Sequence, residues 1–433
     1  MEFGAFKSLY DVRCDLSHLS VLTGPNGSGK SNFVEGLSFV ADVYQHGLEY
    51  AVSRAGGYEN IAHRRTRRAK KPISIVVEVV VSNDDIFSDR NAMYQFMSKG
   101  AREFHDESFQ LVYRHSFAFK AAGQSIRADF EVSHERLEIL DPKGNQLFRL
   151  DRVAEGEMKP WKSARKSLEA DVVRALLGEV DDDDFYLGMG ARRGNASTRL
   201  VTISPYMPFF WIVNEALSSI RVFQLSPYQV RAPGVPTPNA TLDRYGANLP
   251  GAADHLSRTN PNAWASVQRS MRSIMPDLQE IAVVYTEDRR IALQFRERKV
   301  GRPWNSGEVS DGTIQALALF IALFDPRHSV LVLEEPENSV HPWILRMFVD
   351  LCREVQDKQI VLTTHSPVLL NYVDPKIVRL AFLKGGRTHI VRLVDLEDEV
   401  AALVVQGEIN LFEYYDSGYL EASVPRGMSH GHE

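Results

Sequence analysis

Gly24-Pro25-Asn26-Gly27-Ser28-Gly29-Lys30-Ser31 fills every fixed position of the phosphate-binding loop pattern G-x-x-x-x-G-K-[ST]. Its flanks supply the context that the pattern needs. Leu19-Ser20-Val21-Leu22-Thr23 reads as a short buried strand, and Asn32 to Gln45 has helical periodicity through Phe33, Leu37, Val40 and Val43. Glycines let successive backbone N–H groups curl around an anionic phosphate, and the positive end of the new helix adds to that field. Gly24, Asn26, Gly27, Ser28, Gly29 and Asn32 shape this cradle. Lys30 is placed to reach the β- and γ-phosphates, and the Ser31 hydroxyl to take one Mg²⁺ position. The expectation is a chain that binds a nucleoside triphosphate with Mg²⁺.

With 433 residues, 44% hydrophobic and 24% charged, the chain has the material for a sizeable core. No apolar run approaches the roughly 20 residues that span a bilayer, and the amino terminus shows no signal-peptide pattern. Cys14 and Cys352 make neither a disulfide framework nor a metal cluster, so a cytoplasmic setting is expected. A net charge of −6 argues against generic adhesion to nucleic acid while leaving room for a local basic surface.

Along the chain, residues 3–23 read as two short strands and 56–60 as a turn. The run Arg64 to Lys71 carries six basic residues in eight. Residues 73–81, 109–120, 126–140 and 146–152 look like strands of an antiparallel sheet. Lys162 to Leu177 reads as helix, the tract 181–184 as a solvated acidic loop, and 220–225 as a strand. The Pro-rich stretch 231–239 reads as loop and 251–275 as helix, with a hairpin turning at Glu287-Asp288. The fold class is α/β: a mixed central sheet with an antiparallel β subdomain and a helical lobe. Residues 1–230, with the phosphate loop and the antiparallel strands, are expected to form a first lobe, and residues 231–433 a second part of the same domain.

The second half supplies further chemistry. Val330-Leu331-Val332-Leu333-Glu334-Glu335 is a buried-strand run ending in two carboxylates, expected beside the phosphate-loop strand. Glu334 can hold Mg²⁺ through water, although most P-loop strands of this kind carry Asp there. Glu335 can polarise the attacking water. Ile360 to Pro367 is another buried strand, ending in His365, which can hydrogen-bond a γ-phosphate and report its presence. A lone histidine after a strand is more often structural; its position one strand after the paired acids favours the functional role. Val309-Ser310-Asp311-Gly312-Thr313 precedes an apolar helix, with Ser310 as its cap and the amides around Gly312 as a second anion site.

This order of motifs resembles the ABC-class ATPases of the RecF, SMC and OLD branch. Phe6-Lys7-Ser8-Leu9 is similar to that branch's opening strand. Glu334-Glu335-Pro336-Glu337-Asn338-Ser339-Val340-His341-Pro342 is similar to its catalytic segment, and Thr363 to Pro367 to its histidine switch. The resemblance covers nearly the whole chain, weakly over 85–215, and is nearest to standalone AAA/ABC-type ATPases without a Toprim nuclease domain. It implies a homodimer closed by ATP, with the Ser310–Gly312 signature meeting the γ-phosphate held by the other subunit, and Asn338 in the segment crossing that interface. It also implies a glutamine that helps hold Mg²⁺ and water, for which Gln224 is the candidate and Gln229 the competitor. A surface glutamine near a turn is the bland alternative.

The implied function is an ATP-driven switch that controls a separate effector or DNA, in defence against mobile DNA or in RecF-like repair. A transporter ATP-binding subunit fits the signature and the long insertion poorly, and an autonomous nuclease lacks a second acidic cluster. Arg64, Arg65, Arg67 and Arg68 are either a salt-sensitive DNA contact or a solvated loop.

Overall fold

The computed structural model describes residues 1–63, 71–87, 99–122, 130–152, 158–177, 198, 200 and 208–395. The basic residues Arg64, Arg65, Arg67 and Arg68, the acidic tract 181–184 and the closing segment from 396 onward lie outside the described residues. The chain divides into two compact units, residues 1–15, 31–219 and 385–388 in one, and 16–30, 220–384 and 389–433 in the other.

The first unit is built on a seven-stranded antiparallel sheet. Its order is Val12–Arg13, Glu2–Gly4, Ile73–Ser82, Gln110–Ala121, Phe130–Leu140, Gln146–Arg152 and Met158–Lys162. Alternation fixes the register: buried Ile73 and Ile75 face buried Phe119 and Phe117 across the pair. The helix Lys30–His46 lays Phe33, Leu37, Val40 and Tyr44 at helical spacing into this unit's core. Phe33 meets Phe3 edge-on at 5.9 Å, and Phe39 stacks on Phe119 at 6.1 Å. Each such ring contributes roughly 1.5–3 kcal/mol by burial. Tyr44 also shares a 2.7 Å hydrogen bond with His115 Nδ1, so the helix that leaves the phosphate loop is fixed to the sheet by a polar contact too.

The second unit holds a six-stranded sheet in the order Arg387–Arg392, Val378–Lys384, Leu19–Thr23, Gln359–Thr363, Val330–Glu334 and Arg221–Phe223. The pairs from Val378–Lys384 through Arg221–Phe223 are parallel. Its central strands are almost entirely buried, as continuous apolar runs in parallel sheets are. Helix Asp311–Phe324 is buried from Ile314 through Leu323, so it is a core helix and not a surface one. Helices Leu249–Thr259, Pro261–Ile274 and Pro342–Glu354 contribute to the same core, as does the antiparallel sheet Leu278–Tyr285, Ile291–Glu297 and Trp304–Asn305.

Several expectations need correcting. The Glu-Glu strand does not lie beside the phosphate-loop strand, because the histidine strand Gln359–Thr363 runs between them. All three are five-residue buried runs, and nothing in such a run specifies its neighbour. Residues 58–61 close a short helix after Gly57, where a turn was expected. The 220–225 run is paired only over Arg221–Phe223, and the expected helix from Lys162 begins at Leu168 after a strand. The parallel register has one consequence for function. Glu334 pairs with Thr363, and Thr363 with Leu22, so three strands end at one edge. That edge is where ligands bind in open α/β sheets.

Candidate functional site

At this edge the chain leaves Thr23 through Gly24, whose φ is 152°. A Cβ there would lie 2.0 Å from the carbonyl oxygen of Ala381, so only glycine fits. Gly27 and Gly29 also have positive φ, which turns the loop's amides inward. Thr23 Oγ1 donates to the Thr364 carbonyl at 3.1 Å and Thr364 N to the Leu22 carbonyl at 3.1 Å, stitching the loop's origin to the histidine segment.

Lys30 folds back into the loop. Its Nζ donates to the carbonyls of Gly24 at 2.7 Å and Pro25 at 3.2 Å, and the residue is buried. Burial pulls its pKa down to about 8 against the opposing pull of Glu335. A buried ammonium held by neutral carbonyls is a cation suited to an incoming anion.

The two acids differ sharply. Glu334 is buried, and its Oε1 accepts a 2.7 Å hydrogen bond from Arg244 Nη2. Burial pushes its pKa up, Arg244 opposes, and the neighbouring Glu335 charge adds to the rise. Glu335 is half-buried, with φ at 48°, a left-handed conformation that a non-glycine residue adopts at a cost of order 1–3 kcal/mol. Glu335 N donates to the Thr363 carbonyl at 2.9 Å, while Oε2 accepts from Asn338 Nδ2 at 3.0 Å. His365 is half-buried, and its pKa is lowered by burial and then by Lys30, with Glu335 opposing. The structure thus brings Lys30, Glu334, Glu335 and His365 to one edge.

Other expected site residues fall elsewhere. Ser310 caps helix Asp311–Phe324, its Oγ accepting from Thr313 N at 3.2 Å. Gly312 is tight against the segment after strand Val330–Glu334: a Cβ there would sit 2.9 Å from the Ser339 carbonyl oxygen. Gln224 is exposed, and its main-chain N donates to the Arg244 carbonyl at 2.8 Å; Gln229 is half-buried. Asn26, Gly27 and Ser31 are exposed, and Ser28 is buried. Asn32 belongs to the first unit, where its Nδ2 donates to Ser8 Oγ at 2.6 Å. A cavity of about 490 Å³ opens there, lined by Lys7, Ser8, Asn32, Asn60 and His63.

The sequence matches the family described as "AAA domain, putative AbiEii toxin, Type IV TA system" over residues 19–371, most of the chain. The chain belongs to this AAA-domain family. Among curated proteins none matches it. Solved structures similar to this AAA-domain chain are SMC heads. One is bound to the C-winged helix domain of ScpA (13% identity, TM-score 0.44, 90% of this chain and 96% of that one). Another, from Pyrococcus furiosus, has an extended coiled coil and is bound to the C-terminal domain of ScpA (14%, 0.42, 94% and 98%). A third is from Thermotoga maritima (13%, 0.34, 90% and 97%).

Sequence reasoning gave no role to two residues of this candidate site. Glu337 Oε1 accepts from Thr364 Oγ1 at 2.6 Å and from His365 N at 3.1 Å, tying the acid segment to the histidine segment. The other is Arg244, on Glu334. Glu337 was visible within the catalytic segment; Arg244 carried no signal, because its contact spans 90 residues of sequence.

Proposed function

We propose that the chain binds and hydrolyses ATP with Mg²⁺, closes as a head-to-head homodimer on ATP, and thereby controls a separate effector or DNA. The observation that carries this reading is the buried Lys30 ammonium on the Gly24 and Pro25 carbonyls, at the edge shared with Glu334, Glu335 and His365. These residues fit a Mg²⁺–nucleoside triphosphate: a loop with glycines at positive φ at 24, 27 and 29, one cation for the terminal phosphates, and a carboxylate and a hydroxyl for the metal. When bound, Mg²⁺ supplies charge neutralisation to the phosphates and orders their oxygens.

In this reading Lys30 turns from the loop carbonyls to the β- and γ-phosphates, and Ser31 and Glu334 hold the metal. Glu335 takes a proton from the attacking water, its carboxylate aimed by Asn338. His365, kept neutral by its surroundings, hydrogen-bonds the γ-phosphate, with Glu337 fixing the backbone beneath it. Gln224 is the candidate for the glutamine near metal and water. The amides around Ser310 and Gly312 serve the partner's nucleotide.

The family description names a toxin of a toxin–antitoxin system, which favours control of an effector in defence over RecF-like repair. Among the described residues no helix is long and apolar enough to cross a membrane. Arg64, Arg65, Arg67 and Arg68 remain the candidates for a DNA contact.

The test is sedimentation of Glu335→Gln with ATP and Mg²⁺. The variant is expected to bind ATP, lose turnover by about 10²–10⁴-fold and sediment as a dimer. Adding Ser310→Arg is expected to keep it monomeric. Undiminished hydrolysis in Glu335→Gln rejects that residue's role, and a monomer with bound ATP rejects the sandwich.

A further inference from the structure

Among the described residues of the candidate site, one ion pair joins Glu334, the carboxylate assigned to the metal, to Arg244, which no motif predicted. Arg244 Nη2 lies 2.7 Å from Glu334 Oε1, with the Arg side chain 36% exposed and the Glu side chain 8%. The loop that presents Arg244 is built for placement. The Asp243 carboxylate accepts the N–H groups of Tyr245, Ala247 and Asn248 at 2.9–3.1 Å. Asn248 Oδ1 accepts from Asp243 N at 2.8 Å, and Asn248 Nδ2 donates to the Thr241 carbonyl. The Arg244 carbonyl accepts from Gln224 N, which anchors the loop to the end of the neighbouring strand.

The backbone is therefore fixed while the guanidinium is held lightly. Among the described residues, Glu334 is the only hydrogen-bond acceptor of the Arg244 side chain, and Arg244 Nε is buried without a hydrogen-bond partner. An alternative resting place adjoins it: the exposed Tyr245 ring has its centroid 5.9 Å from Arg244 Cζ, within reach of a cation–π contact.

We propose that Arg244 is a displaceable counter-charge on Glu334, a positioning residue that competes with the divalent cation for this carboxylate. While the site is without metal, the guanidinium neutralises and orients a carboxylate that has Glu335 as its sequence neighbour. A hydrated divalent cation brings two positive charges to the same oxygens. It cannot share Oε1 with Arg244 without bringing like charges together, so the guanidinium leaves, towards Tyr245. Metal loading thus becomes dependent on breaking one half-buried ion pair, and Arg244 sets the Mg²⁺ concentration at which the site fills. The proposal rests on the reading of the edge as a Mg²⁺–ATP site.

The test is a Mg²⁺ titration of the full chain at a fixed concentration of a fluorescent non-hydrolysable ATP analogue, with Mn²⁺ counted separately by the loss of its free EPR signal. In Arg244→Met the half-saturating concentration of either metal is expected to fall by about three- to tenfold, the scale of one partly exposed ion pair. Arg244→Gln keeps a hydrogen-bond donor without the charge and is expected to shift the same way; it replaces Arg244→Met should that variant melt early. In a Glu334→Gln background, Arg244→Met is expected to change nothing. A purely structural arginine predicts the opposite sign, because loosening the site weakens the metal. An unchanged or raised midpoint in the arginine variants overturns the proposal, as does an equal shift in the Glu334→Gln background. A parent chain that binds no nucleotide at any Mg²⁺ concentration overturns the reading of the site itself, and the counter-charge role with it.

Discussion

The two ends of the six-stranded sheet carry nearly the same side chains and use them in opposite ways. At the carboxyl-terminal edge stand Lys30, Glu334, Glu335, His365 and Arg244. Before the amino-terminal ends of the catalytic and histidine strands stand Lys358, Asp325, His328 and Arg327. In the second group the acid has fixed partners, although both ring nitrogens of buried His328 lack a hydrogen bond among the described residues. Asp325 is 1% exposed and accepts three hydrogen bonds from the Arg327 side chain, whose Nη2 also reaches the Ala240 carbonyl at 3.0 Å. Lys358 donates to the Asp325 carbonyl, at the carboxyl end of helix Asp311–Phe324, where the helix dipole favours a cation. At the carboxyl-terminal edge the lysine likewise rests on neutral carbonyls, but one acid sits at positive φ and the other is held by a single arginine. Lysine, acid and histidine do not by themselves make a site. What distinguishes the two ends is whether charge is already matched by fixed partners or left for a ligand to match.

The largest separation between the ends is expected from Asp325→Ala set against Lys30→Ala. Removing Asp325 leaves half-buried Arg327 without its carboxylate and the buried Asp325 position without its hydrogen bonds, a change that costs about 1–3 kcal/mol. Nucleotide affinity of the protein that remains folded is expected to stay near the parent value. Lys30→Ala is expected to abolish nucleotide binding while leaving the urea midpoint unchanged or raised, since a partly desolvated ammonium is removed. Equilibrium unfolding and nucleotide titration on both variants make the check. Loss of stability in Lys30→Ala comparable to that in Asp325→Ala would erase the distinction between the two ends.

A smaller effect separates the two histidines. His328 is 1% exposed, and burial lowers its pKa from 6.5 to about 4. Asp325 opposes that shift, while Lys358, Arg221 and Arg327 add to it. Above pH 6.5 the residue is neutral folded and unfolded, and its neutral burial counts in full. Below 6.5 the unfolded chain takes up a proton that the folded chain refuses, so stability falls with pH until about 4. The loss from this residue is at most about 3 kcal/mol. Asp325, whose pKa is lowered, adds its own loss only below the ordinary aspartate range. In His328→Phe the urea midpoint is expected to vary less between pH 7 and 4.5 than in the parent. Parallel pH profiles would show that the ring does not stay neutral in the folded state.

What could be read in the sequence follows from how local each feature is. The phosphate loop, the capping Ser310, the paired acids and His365 are each set by a few adjacent residues, and the hydrophobic periods gave the antiparallel strands 110–121, 130–140 and 146–152 to within a few residues. Strand order was not legible, because the buried runs at 19–23, 330–334 and 359–363 are interchangeable by composition. Nor were the partners that tune each end. Arg244 on Glu334 joins residues 90 apart, and Lys358 on Asp325 joins residues 33 apart. Such contacts are settled by which loops the fold brings together, and no local spacing encodes them.

The smallest expected effect lies at the other terminus of the helix that Asp325 closes. Ser310 Oγ accepts from Thr313 N at 3.2 Å and shares a 2.8 Å contact with Thr313 Oγ1, at a helix start that is solvent-exposed. Arg231 reinforces this start independently, donating to the Val309 carbonyl at 2.8 Å and to Asp311 Oδ1 at 2.6 Å. Ser310→Ala therefore removes one cap and leaves the rest, at a cost of about 1 kcal/mol, and Ser310→Gly is expected to recover all but a few tenths of that. Equilibrium unfolding resolves a difference of this size. Binding of ATP to the isolated chain is expected to be unchanged, since the residue is assigned to the partner's nucleotide. A cost near that of Asp325→Ala would mean that Ser310 belongs to a network of fixed partners like the Asp325–Arg327 pair at the far end of its helix. The amides around Gly312 would then not be free to meet an anion, and the contrast between an open end and a closed end would fail where the dimer reading depends on it.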